Sequence, residues 1–132
     1  MALVWKDEKY ATGFREVDDQ HREIFVLANG LLTTLESGGP RSKISERLDA
    51  LADHAVRHFA CEEDHMARVQ CPVRVANECA HECFLRDFVV LRELFEKHGN
   101  TPHFVSEVED KVCGWLHKHL MAIDLVLRRS AE

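Results

Sequence analysis

The stretch CEEDHMARVQCPVRVANECAH, residues 61–81, decides how this chain folds. Two acids and a histidine lead into a Cys-Pro step at Cys71-Pro72, and an asparagine and a histidine follow it. A proline inside a helix removes a backbone hydrogen bond and clashes with the preceding turn, so the step reads as a corner between two helices. Outward from that corner, apolar residues recur at spacings of three and four, the helical period. Glycine and proline break the pattern again in ESGGPRS near residue 38 and in HGNTPHF near residue 100. Four segments remain, at about 19–36, 42–69, 73–97 and 102–129.

Each segment carries one apolar stripe. Ile24, Phe25, Ala28, Leu31, Leu32 and Leu35 share a side of the first, and Leu48, Leu51, Ala55 and Val69 of the second. Phe84, Phe88, Leu91 and Phe95 line the third; Val108, Val112, Trp115, Ala122 and Val126 line the fourth. Asp18 or Asp19 is placed to cap the first helix, and Thr101 followed by Pro102 opens the last. Nothing alternates with period two, so no sheet is expected. Short loops between long amphipathic helices predict an all-α fold, an antiparallel up-down four-helix bundle. It is read as a single domain over residues 1–132, with 1–17 an irregular arm whose Trp5 and Phe14 pack on the bundle.

The bulk numbers narrow the function. With 132 residues, 45% hydrophobic and 30% charged, the chain can bury a core and suits a soluble globular protein. A formal charge of −6 argues against nucleic acid as the main partner, which needs a basic face. No apolar run approaches the roughly 20 residues of a membrane span, and the N-terminus lacks a secretion-signal pattern. The five cysteines, at 61, 71, 79, 83 and 113, form no CxxC pair and read as reduced thiols in a cytoplasmic protein. Nine histidines are the compositional oddity, and histidine is the commonest metal ligand.

In an antiparallel hairpin, residues equidistant from the turn lie at one height. About the turn near 39, His21 falls level with about residue 57, beside His58. About the turn near 71, Glu62 falls level with His81; about the turn near 100, His81 falls level with His119. One layer of the bundle thus receives a histidine from every helix, together with Glu62. Burying so much unpaired polarity is too costly without a partner such as a metal. His58 and Glu62, four residues apart, share a helix face. Asp124 lies in the same layer, one turn along. It aligns with His117 at seven residues better than with His119 at five, although the stripe through Trp115 and Ala122 favours His119. Imidazoles with carboxylates suit iron, and the ligands are too many for one ion.

These residues resemble the hemerythrin family, in particular its single-domain bacterial members. That pattern is one histidine, then HxxxE, HxxxH and HxxxxD along four helices. Here VDDQH ends in His21, HFACE supplies His58 and Glu62, and HLMAID supplies His119 and Asp124. The resemblance runs over nearly the whole chain, including the tryptophan-bearing arm, EExxM and the Cys-Pro turn. It implies a non-haem centre of two iron ions, oxo- or hydroxo-bridged when oxidised. Glu62 and Asp124 would bridge the irons. His21 and His58 would hold the iron with the open position, and His81 and His119 the other. The sequence departs from the pattern at one ligand, since Asn77 in NECAH stands where the family has a histidine. Solvent or the Asn77 carbonyl could fill that position. His65, three residues after Glu62 and level with about residue 78, is a further candidate to replace it.

The leading expectation is therefore an O2-binding protein for carriage, storage or local supply, not an enzyme. An O2 or redox sensor signalling to a separate partner is the alternative, with oxidase or peroxidase side activity at an opened iron. Phe25, Phe59, Trp115 and Ile123 are candidate pocket walls. His54 and His117 border the layer, and His98 and His103 are expected at the surface. Two E-x-x-H strings, Glu62/His65 and Glu78/His81, resemble a ferritin-like di-iron enzyme motif, but the other helices offer no matching inward glutamates. A zinc-holding or metal-free bundle is the plainest alternative.

Overall fold

The computed structural model describes residues 3–120. A short helix α1 (Asp7–Tyr10) lies in the N-terminal arm. Three long helices follow: α2 (Arg15–Glu36), α3 (Arg41–Arg68) and α4 (Arg74–His98). The fourth begins as α5 (Pro102–Val108), passes through a π-helical stretch (Glu109–Gly114) and resumes as α6 (Trp115–His119). Its predicted continuation to residue 129, with Ala122, Ile123, Asp124 and Val126, lies outside the described residues. Helix α2 packs on α3, α3 on α4, and α4 on α5 and the π-helical stretch, while α2 closes the ring against α5. The chain is thus a bundle of four helices, and among the described residues there is no strand.

The predicted stripes form the core. Ile24, Leu31, Leu48, Leu51, Phe84, Phe88 and Phe104 are all buried within one cluster. Thr101 caps α5 as expected, its side chain accepting from the Phe104 N–H at 3.0 Å. At the other end of α4, Gly99 sits at φ 70°, ψ −154°, a conformation that only glycine adopts without strain, and its N–H closes the helix on the Phe95 carbonyl.

The start of α2 differs from the prediction. The helix begins at Arg15, with Phe14 at the cap position and no side-chain cap. Asp18 lies inside the first turn instead, buried, where its carboxylate accepts from Thr12 N–H (2.7 Å), Thr12 O–H (2.8 Å) and Gly13 N–H (3.3 Å). Its oxygens are spent on tying down the arm, which leaves none for the helix start. Trp5 packs on the main core, with ring centroids 5.5 Å from both Tyr10 and Phe25. Phe14 packs on a smaller cluster of Val17, Met66 and Cys71 beside the Cys-Pro corner.

The last helix explains its own irregularity. Phe104, Val108, Val112, Leu116 and Leu120 are all buried, a stripe that steps by four residues throughout. Each such step overshoots an α-helical turn by about 40°. A straight α-helix would let that stripe wander round to solvent. The wider π-turn absorbs the excess and keeps Trp115 and His119 on the inner face.

Candidate metal centre

Five side chains from four helices converge inside the bundle: His21 from α2, His58 and Glu62 from α3, His81 from α4 and His119 from α6. All are buried, and Glu62 is 0% exposed. The hairpin arithmetic places each of them correctly in height. Glu62 Oε2 lies 3.0 Å from His21 Nε2 and 3.4 Å from His58 Nε2. Glu62 Oε1 lies 3.1 Å from His81 Nε2 and 3.5 Å from His119 Nε2. Each carboxylate oxygen faces its own pair of imidazoles, and Glu62 belongs to both groups.

Outer hydrogen bonds set the direction of the rings. His58 donates from Nδ1 to Gln20 Oε1 at 2.9 Å, and His81 donates from Nδ1 to Glu63 Oε2 at 2.9 Å. A neutral ring whose Nδ1–H is engaged outward turns an Nε2 lone pair inward. Lone pairs aimed at a carboxylate at such distances repel, so the gap calls for positive charge, either protons on Nε2 or a cation that displaces them. Burial alone would push the Glu62 carboxyl up. Hydrogen bonds from His119, His21, His58 and His81 outweigh burial and hold it well below the usual carboxylate range. The donor set therefore fits bound cations.

Asn77 is fully buried against this cluster. Its Nδ2 donates to Glu62 Oε1 at 2.9 Å and to Met66 Sδ at 3.2 Å. Its Oδ1 is buried without a hydrogen-bond partner among the described residues, a costly state for an amide acceptor. Asn77 thus lies on the Oε1 side of Glu62, with His81 and His119, and it has an oxygen to offer there.

His65 keeps different company. Its Nε2 lies 3.6 Å from Glu16 Oε2 and its ring packs on Phe14 at 5.4 Å. It groups with Glu16 and Cys61, not with the donors around Glu62. The physical reason is its position on α3, three residues after Glu62 and so rotated about 300° around the axis toward the start of α2. Asp124 lies outside the described residues.

Aromatic plates wall the site. Phe59 stacks on His81 at 3.9 Å with the rings 9° from parallel, and Trp115 stacks on His119 at 4.4 Å and 13°. Phe25 stands farther out, edge-on to Trp5 and Tyr10. His54 donates to the Gln20 main-chain carbonyl at 3.0 Å, and His117 Nδ1 and the Tyr10 hydroxyl share a hydrogen bond at 2.9 Å, which ties the arm to α6. His98 and His103 are exposed.

Sequence reasoning missed Gln20 and Glu63. The signal was present, because the arithmetic that pairs His21 with about residue 57 pairs Gln20 with His58. Glu63 falls level with about residue 79, close to His81. Neither belongs to a metal-ligand pattern, so residue type alone does not single them out.

The hemerythrin HHE cation-binding domain matches residues 12–128. The bacteriohemerythrin of Methylococcus capsulatus is 31% identical over 125 residues, covering 94% of this chain and 93% of that protein. A hemerythrin-like protein of Naegleria gruberi is 25% identical, covering 90% and 86% respectively. Among solved structures, wild-type hemerythrin superposes with a TM-score of 0.79 at 28% identity over 95% of this chain and 94% of that one. A hemerythrin point mutant reaches 0.83 over 99% and 98%. On its fold, its buried histidine-carboxylate cluster and these likenesses, the chain belongs to the hemerythrin family.

Proposed function

We propose that the chain binds O2 at a non-haem centre of two iron ions in the bundle core. The observation that carries this reading is the division of Glu62, whose two oxygens each face a separate pair of imidazoles. His21 and His58 would hold one ion with Oε2, and His81 and His119 the other with Oε1. Asp124 would supply a second bridging carboxylate, as in the family pattern. Asn77 stands where that pattern has a further histidine, and a turn of its amide would present Oδ1 in place of Nδ2. When bound, the irons supply reversible electron transfer to O2. The chain's own residues do the rest. Gln20 and Glu63 hold the Nδ1 protons of His58 and His81, so that both rings keep their tautomer. Phe59 and Trp115 cover the imidazole faces and exclude water, which keeps the centre in an apolar, low-dielectric setting.

The test is metal analysis with a visible spectrum taken first without air, then in air, then after O2 is removed. Two irons per chain and a spectrum that appears in air and fades on removal of O2 are expected. Zinc alone, or no response to O2, would sink the reading. A sensor role is favoured by Asn77, a weaker donor than imidazole on one side of Glu62. In that case the spectral change in air would persist after O2 is withdrawn.

A further inference from the structure

We propose that Glu16, Cys61 and His65 form a second cation site, separate from the buried centre and suited to zinc. Cys61 and His65, four residues apart, share one face of α3, and Glu16 reaches them from the first turn of α2. The ligand atoms of all three lie within 4.8 Å of one another. None of them belongs to the group around Glu62.

Three features favour an ion over a chance meeting. Among the described residues His65 Nε2, which is buried, has no hydrogen-bond partner, although a carboxylate oxygen of Glu16 lies 3.6 Å away. The Phe14 ring packs on the imidazole at 5.4 Å and restricts its rotation, so that the nitrogen stays aimed at the cluster. The donors are a sulfur, a nitrogen and an oxygen from three different side chains. That mixture suits zinc, which takes thiolate, imidazole and carboxylate in tetrahedral sites, at about 2.0 to 2.3 Å from each ligand atom.

The fit is near but incomplete. Tetrahedral zinc sets its ligand atoms roughly 3.3 to 3.8 Å apart; His65 Nε2 and Glu16 Oε2, at 3.6 Å, already meet that spacing, and no pair has more than about 1 Å to close. Glu16 can do this by a rotamer change, since its side chain is 67% exposed. Cys61 and His65 are only half-buried, which leaves the fourth position open to water and gives the ion a route in from solvent. On binding, the Cys61 sulfur–hydrogen bond is replaced by a sulfur–zinc bond and the proton passes to the buffer. No electron is transferred.

The site is tested on the full chain with its own metals in place and its thiols reduced. Cys79 and Cys83 are exposed, so both are first changed to serine, which leaves Cys61 as the accessible thiol. Zinc is then titrated against a chromophoric chelator, and Co2+ is added in parallel. The expected result is one further zinc per chain and a thiolate-to-cobalt charge-transfer band in the near ultraviolet. C61S should abolish the band, and C61S and H65A should each weaken zinc binding by at least about tenfold. E16Q serves as a third variant at an exposed position where folding is not at risk, and should weaken zinc by a smaller factor. Ions taken up by the buried centre would bind C61S as well as its parent. No band in the parent, or equal zinc affinity across the parent, C61S and E16Q, overturns the proposal.

Discussion

Asn77 is the position where the chain's chemistry turns on one side chain. It gives one hydrogen bond to Glu62, and its oxygen, in a fully buried place, has no partner among the described residues. Asn77→His would put an imidazole there, and we expect iron to resist extraction by a chelator about tenfold longer or more, measured as the half-life of the visible spectrum. His65→Leu, by contrast, should leave iron content and spectrum unchanged, because His65 faces Glu16 and Phe14. Gln20 and Glu63 act one shell out. Glu63→Leu frees the His81 ring from its outer partner, and Gln20→Leu does the same for His58. Each should lower iron affinity by about 10- to 100-fold in a competition titration while helix content by circular dichroism stays constant. At this scale the sequence was readable for residues that stand alone in height, such as His21 and His81. It was ambiguous where two donors lie within a turn of each other, as His65 and Asn77 do, because height arithmetic carries no information about which way a side chain leaves its helix.

Among the elements, the helices were legible and their ends less so. Apolar spacing located α2, α3 and α4 to within a few residues, since a buried stripe can be read from residue type alone. The start of α2 was not, because Asp18 has two uses open to it and the arm decides between them. With three donors converging on its carboxylate, Asp18 anchors residues 12–13 to the first turn of α2. Asp18→Ala should cost about 2 to 3 kcal/mol, read as a lower urea midpoint with an unchanged slope. The π-helical stretch was legible in principle. A stripe stepping by four from Phe104 to Leu120 cannot stay on one side of a regular α-helix. Averaged over a window, the spacing of three and four hides such a run.

For the whole molecule, the centre joins two hairpins. His21, His58 and Glu62 come from the α2–α3 pair, and His81 and His119 from α4 and α6. Ions bound between them stabilise only the folded chain, so removing metal should lower the melting temperature, and restoring it should raise that temperature in step with metal concentration. The stripped protein should also become acid-sensitive in a defined direction. The Glu62 carboxyl is held well below its ordinary value in the folded state, whereas in the unfolded chain it lies near about 4.3. A depressed folded pKa contributes stability that is complete above the unfolded value and is lost as pH falls through the folded one. The urea midpoint of the metal-free chain should therefore decline progressively below about pH 5.

The aromatic walls carry one more consequence, an optical one. The chain has two tryptophans, and each stands beside a different half of the centre. Trp115 is stacked on His119 at 4.4 Å, and Trp5 lies 6.4 Å from His21. Their ultraviolet emission should be quenched when iron enters, and the variants W5F and W115F should divide that signal into the filling of the two halves. Equal quenching of a variant lacking His119 at the Trp115 side would show that the light does not report local occupancy. Without an added dye, the molecule would then register its own loading, one lamp on each side of Glu62.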